Sequence, residues 1–288
     1  MIRLGMQIRR AIEHDHRQLS NLIFQESNTH RHLDWRPALE WLGDPNFWVI
    51  EEHGEIIATL ICSEDPPNVA WIRLFSHRPH HPGPEAWSVL WSIAQTEIFS
   101  ANPNIQIASI VMKQWFQTML FSCGFELRQN IVLLELNAEN YHPPSTQSRV
   151  HIRPMNHDDL PMVEEVDLSA FGPFWHNSYD SLKRAYSQAV YSSVAEDETG
   201  VIGYQISMGN PFGAHLARLG VRPEAQGRGV GSTLVHELIR RLGLLPLGRL
   251  SVNTQEDNNA SMRLYRRLGF MLTGETYPVL VYSKEKGL

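Results

Sequence analysis

The run EAQGRGVGSTL, residues 224–234, sets Gly227, Gly229 and Gly231 at alternate positions and passes straight into an apolar stretch. N–H groups at a helix start have no intrahelical acceptor, and the helix dipole adds about half a positive charge there. With no Cβ atoms in the way, such a loop suits an anion, above all a phosphate, and Arg228 adds a charged donor. A triphosphate loop ends Gly-Lys-Ser/Thr, whereas this one ends Gly-Ser-Thr. A dinucleotide fingerprint needs G-x-G-x-x-G after the first strand of a parallel βαβ unit. Here the pattern is G-x-G-x-G, late in its half of the chain and after a hairpin. Both of those chemistries are set aside, and redox chemistry on a nucleotide goes with them.

The elements that position this loop occur twice. QIRRAIEHDHRQLSNLI matches HIRPMNHDDLPMVEEVD, with Ile8 over Ile152 and Arg9 over Arg153. WVIEEHGEIIATLIC lies over SVAEDETGVIGYQIS, and FSCGFEL over RRLGFML, always 144 or 145 residues apart. A polar, proline-containing linker is expected at residues 137–148. Two domains follow: 1–140 and 149–288. Each copy reads as strand, helix, hairpin, strand, helix, strand, helix and closing strand. In the second copy Leu234, Val235, Leu238, Ile239 and Leu242 form the stripe of a half-buried helix, and Gly269 ends the helix before the closing strand VLVYSK. The expected class is α/β, with two tandem domains, each a mixed, mostly antiparallel sheet flanked by helices.

Bulk properties bound the rest. A chain of 288 residues, 42% hydrophobic and 19% charged, is ordinary for a two-domain globular protein. A net charge of −6 gives no support for nucleic-acid binding. No apolar run reaches membrane-spanning length and no secretory signal opens the chain, so the cytoplasm is expected and no membrane partner. Cys62 and Cys123 suggest neither a disulfide framework nor a zinc cluster. The histidines of SHRPHHPGP, and the pairs His14/His16 and His30/His32, read as solvated positions; no metal is expected.

LGVRPEAQGRGVGSTLV, followed by VNTQEDNNASMRLYRRLGF, resembles the acyl-CoA loop and the strand–helix element of the GNAT superfamily of N-acetyltransferases. The loop pattern of that family is Gln/Arg-x-x-Gly-x-Gly/Ala, met here by Gln226, Gly229 and Gly231, and the likeness runs through residues 150–285 in order. It implies acetyl-CoA as co-substrate. Leu219, Gly220 and Val221 would pair with its pantetheine arm like an added strand. Gln226, Gly227, Arg228, Gly229, Val230, Gly231 and Ser232 would hold its pyrophosphate, and Asn258 and Ser261 would touch it farther along. Tyr265 stands where the family keeps a tyrosine that protonates the departing thiolate. His215, eleven residues before Gln226, matches a position where some members place a glutamate base, and its ordinary pKa near 6.5 suits that role. Other members carry a glutamate where this chain has Ser251. SAFGPFWHNSYDSL resembles an acceptor loop, which makes Trp175, His176, Tyr179 and Asp180 candidates to line the acceptor site.

In the first copy the loop is degenerate: Pro82 replaces Gln226, Pro84 replaces Arg228, Glu85 replaces Gly229, Trp87 replaces Gly231, and Leu120 stands at the place of Tyr265. Proline removes a donor, glutamate repels phosphate and tryptophan fills the space. The expectation is an acetyltransferase whose second domain transfers acetyl to a primary amine of a small molecule by direct attack, beside a first domain that does not catalyse. Acetylation of a protein N-terminus, and a non-catalytic acyl-CoA-sensing module, remain open. The partners are acetyl-CoA and an amine acceptor, small molecule or peptide N-terminus, with a monomer or homodimer equally compatible.

Overall fold

Arg9 and Arg153, which head the two sequence copies, carry the same job in the computed structural model. Arg9 bridges Asp15 and Glu51, both at 2.6 Å, and Arg153 bridges Asp159 at 2.7 Å and Glu196 at 2.5 Å. In each copy the aspartate also accepts a backbone N–H three residues before it, from Ile12 or Asn156, which starts the following helix. The arginines are partly exposed, so these networks set register more than they add stability.

The structure describes residues 6–24, 26–144, 150–210, 213–243 and 248–284. Residues 145–148 of the expected linker lie outside them. By contact the chain divides into two units, Met1–Arg128 with Pro278–Leu288, and Gln129–Tyr277.

The first unit holds β1 (Met6–Arg10), α1 (His16–Phe24), β2 (Thr29–Arg31), β3 (Phe47–Glu52), β4 (Glu55–Glu64), β5 (Val69–His77), α2 (Gly83–Ala101), β6 (Gln106–Ile110) and α3 (Gln114–Ser122). The second is built on β7 (Glu126–Asn137), β8 (His151–Pro154), α4 (Leu160–Trp175), α5 (Tyr179–Gln188), β9 (Tyr191–Asp197), β10 (Gly200–Asn210), β11 (Gly213–Val221), α6 (Val230–Arg241), β12 (Arg249–Gln255) and α7 (Asn259–Leu268). The last strand is β13 (Met271–Tyr282).

The closing strands are exchanged. β7, which ends the first sequence copy, pairs through Ile131–Asn137 with β12 of the second unit. β13, which ends the second copy, pairs through Val279–Tyr282 with β6 of the first. VLVYSK therefore completes the other unit's sheet and not that of its own copy. The sheet orders are β1-β3-β4-β5-β6-β13 and β8-β9-β10-β11-β12-β7. Each is antiparallel except for one parallel pair, β5/β6 or β11/β12. The exchange is held by burial: Leu280 and Tyr282 enter the first core, and Val132, Leu134 and Leu136 enter the second. Each fully buried leucine contributes about 1.5–3 kcal/mol. Among the described residues no helix is long and apolar enough to cross a membrane.

Candidate active site

β11 and β12 run side by side only from Gly213–Leu216 against Arg249–Val252 and then part. β10 follows the other edge of β11 as far as Val221. Among the described residues, 217–221 of β11 thus present one edge with no strand beside it, and this is the segment expected to take the pantetheine arm through Leu219, Gly220 and Val221. A bare strand edge offers alternating N–H and C=O groups to an extended amide-bearing chain.

At the end of that edge lies the glycine loop. Gly227 and Gly229 have φ of 75° and 82°, in the left-handed region that side chains other than glycine's rarely adopt. Gly229 caps α6, and among the described residues none of the N–H groups of residues 227–232 has a hydrogen-bond acceptor. Those donors converge on the helix N-terminus, the arrangement that suits an anion. Gly231 serves a different purpose: a Cβ there would meet Leu264 Cδ2 at 3.2 Å, so its bareness lets α6 and α7 pack. The Gln226 side chain donates to the Val221 carbonyl at 3.0 Å and ties the loop to the strand. Arg228 is about half exposed and only 3.5 Å from Asp197, a loose contact that leaves its guanidinium able to turn toward a phosphate. Ser232 Oγ donates to Gly229 O at 2.8 Å, closing the first turn of α6.

Asn258 caps α7: its side-chain oxygen accepts the Ser261 N–H at 3.1 Å. Both residues are thereby engaged with their own helix. Tyr265, on the same helix, is 4% exposed and packs with Leu216, Val252 and Phe270 in the second core. Burial pushes its phenol pKa up, so the hydroxyl stays protonated and able to donate.

On the opposite face of the sheet, His215 Nδ1 lies 2.9 Å from Ser251 Oγ. Burial lowers the histidine pKa and keeps the ring neutral. The same face carries a buried ion pair that sequence reasoning missed. Asp167 of α4 is fully buried and accepts from Arg218 Nε at 2.7 Å, Arg218 Nη2 at 2.9 Å, the Asn177 N–H at 2.6 Å and the Tyr204 hydroxyl. Desolvation opposes the Arg218 charge, but Asp167 and Tyr204 overcome it and hold its pKa above the ordinary value. Arg218 also donates to the Trp175 carbonyl at 2.6 Å, so the pair pins both ends of the turn between α4 and α5 to β11. Within that turn His176 Nδ1 lies 3.1 Å from the Pro173 carbonyl, and the Tyr179 N–H donates to Glu164. Asp180 is exposed in the first turn of α5, where its charge complements the helix dipole. Trp175, His176 and Tyr179 thus share one braced turn, with Asp180 on its outer side.

The first unit has the same parting of strands and fills it. β5 and β6 pair only through Val69–Trp71 and Gln106–Ala108. Beyond that point β2 lies against β5, with Thr29, His30 and Arg31 opposite Ser76, Phe75 and Leu74. His30 Nε2 lies 3.2 Å from both the Ile72 carbonyl and Ser109 Oγ, and the ring stacks on Phe116 at 4.2 Å. This corrects the reading of His30 as solvated: it is 1% exposed, and burial lowers its pKa to about 4. His30 lies on β2, whose pairing with β5 carries its ring into the interior of the first unit.

The family model described as Acetyltransferase (GNAT) family matches residues 160–270. Residues 160–270 are thus similar to a GNAT acetyltransferase domain. Among curated relatives, a mycothiol acetyltransferase of Mycobacterium sp. (strain JLS) is 45% identical over 128 residues, which is 39% of this chain and 42% of that protein. The chain therefore spans less than half the length of the curated relative it matches. Among solved structures, a GCN5-related N-acetyltransferase from Sphaerobacter thermophilus gives a TM-score of 0.62 at 16% identity, covering 98% of this chain and 96% of the other. A tandem GNAT protein from the clavulanic acid biosynthesis pathway gives 0.63 at 14% identity, covering 96% and 98%. At those identities they show the fold, a GNAT architecture with a mixed, mostly antiparallel sheet.

Proposed function

We propose that the chain is an acetyl-CoA-dependent N-acetyltransferase that acetylates a primary amine of a small molecule, with its active site in the second unit. The observation that carries the reading is the contrast between the two partings. The second unit joins an uncovered β11 edge to a loop of acceptor-free N–H groups, and the first unit covers its edge with β2 and replaces the loop. An extended amide arm ending in a pyrophosphate fits the former and finds no place in the latter.

Bound there, acetyl-CoA supplies a thioester carbon that the amine nitrogen attacks, forming the C–N bond and releasing the C–S bond. The ammonium form of the acceptor must shed two protons. His215 takes one: in the tautomer whose Nδ1–H donates to Ser251 Oγ, Nε2 is the basic nitrogen, and burial favours its neutral form. Tyr265 donates a proton toward the leaving sulfur and is reprotonated by the second. The Asp167–Arg218 pair holds the α4–α5 turn against β11 and so fixes the wall that the acceptor meets.

The test is CoA release, followed with a thiol-reactive dye, from acetyl-CoA across a panel of small amines and peptide N-termini. Wild type is compared with Tyr265→Phe, His215→Ala and Gly229→Glu, the last copying Glu85 of the first copy. Turnover abolished by Gly229→Glu and reduced in the other two supports the reading. Calorimetric absence of acetyl-CoA binding to wild type removes it.

A further inference from the structure

One carboxylate stands in the row of His215 and Ser251 and belongs, in sequence, to the other copy. Glu135 on β7 is the cross-strand partner of Ser251, and Ser251 is the neighbour of His215 across the parallel pair. The alternation fixes which way this row faces. Leu134 and Leu136 of β7, Leu250 and Val252 of β12, and Ala214 and Leu216 of β11 all enter the second core. The residues between them, Glu135, Ser251 and His215, therefore face the opposite side, where Arg218 meets α4. Neighbouring strands are about 4.8 Å apart, which sets Glu135 roughly 10 Å from His215 backbone to backbone, with Ser251 between them.

Glu135 is half-buried and forms no hydrogen bond or ion pair among the described residues. Arg249, diagonal to it on the same face, makes no ion pair with it. A half-buried carboxylate without a partner is costly unless something cationic comes to it. The next outward residue of β12 on this face, Asn253, has a buried Oδ1 that also lacks a partner. An ammonium group has three N–H donors. Glu135, Asn253 Oδ1 and His215 Nε2 are three acceptors on adjoining positions of one sheet face.

We infer that Glu135, with Asn253, is the receptor for the protonated amine of the acceptor, delivered to the second unit's site by the exchanged strand. This rests on the acetyltransferase reading above and specifies its substrate class: a primary amine that arrives as its ammonium ion. Glu135 attracts and orients the ion, and His215 removes the proton.

The experiment uses the full chain, with wild type beside Glu135→Gln and Glu135→Asp. Three probes serve: ethanolamine, an alanyl dipeptide, and hydroxylamine, which is uncharged at neutral pH. Loss of a charge-assisted contact raises KM for the two cationic amines in Glu135→Gln by about 10- to 100-fold. KM for acetyl-CoA and the melting temperature stay at wild-type values, KM for hydroxylamine rises less than for either cationic amine, and Glu135→Asp recovers part of the loss. Equal KM values in wild type and Glu135→Gln, or an equal loss for hydroxylamine, overturn the inference. An activity-independent arm couples ethylenediamine to the wild-type protein with a carbodiimide and locates the adducts by mass spectrometry. Coupling at Glu135 with acetyl-CoA binding retained supports the inference, and a Glu135 left unmodified overturns it. Failure of the acetyltransferase reading is distinguishable, since it shows as wild type that does not bind acetyl-CoA.

Discussion

Replacing Asp167 by alanine tests how the turn proposed to face the acceptor is held. Asp167 is fully buried and takes hydrogen bonds from both arms of the Arg218 fork, from the Asn177 N–H and from the Tyr204 hydroxyl. Removing one partner of a buried pair strands the other charge, at a cost of about 3–5 kcal/mol. For a unit of about 150 residues each kcal/mol lowers the melting temperature by about 2–4 °C, so the expected fall is about 6–20 °C. Urea unfolding measures the free energy directly, and calorimetry gives the temperature. The companion variant Asp167→Leu with Arg218→Met removes both charges and should recover most of the loss, because neither group is then left buried and unpaired. The single variant should also raise KM for the amine more than for acetyl-CoA, since the Asn177 N–H loses its acceptor and Arg218, which holds the Trp175 carbonyl, loses its anchor. A loss under about 1 kcal/mol in Asp167→Ala, or a double variant as unstable as the single, would refute the assignment of this pair as the brace.

Acetyl-CoA should bind once per chain by calorimetry; a stoichiometry of two would mean that β2 does not close the first unit. The kcat/KM profile should lose activity on the acid side with a midpoint below the ordinary histidine value of about 6.5, because the neutral base persists until pH falls through the lowered pKa of His215. An acid midpoint above that value would argue against His215. Gly269→Ala should destabilise the second unit by about 2 kcal/mol or more, read by urea unfolding. It combines a left-handed φ of 97° with a Cβ that would stand 1.7 Å from the Asn140 carbonyl oxygen. Wild-type stability in that variant would show that the backbone there yields freely.

Much of the architecture was legible from residue order. The repeat was visible because Arg9 and Arg153 need the same acidic partners to start the same helix, and that need is local. The glycine loop was legible for the same reason: positive φ at Gly227 and Gly229 restricts which residue stands there, whatever the rest of the chain does. The roles of single polar side chains were less so. Gln226 and Asn258 match a family pattern, yet here the first holds the Val221 carbonyl and the second caps α7. A hydrogen bond to a neighbour's backbone leaves no mark in the spacing of residue types.

The sequence by itself determined that there are two related halves, that one keeps a glycine loop before a helix, and that the other has lost it. Those are properties of local conformation and of residue chemistry at fixed spacing. Tertiary structure alone decided which sheet each closing strand joins, what fills the first unit's parting, and which side chains share a face with His215. Apolar alternation tells a strand which face to bury, but its backbone donors and acceptors fit any strand of matching register. β7 and β13 could therefore trade places without altering a pattern, and with that exchange Glu135 of the first copy entered the row of the second.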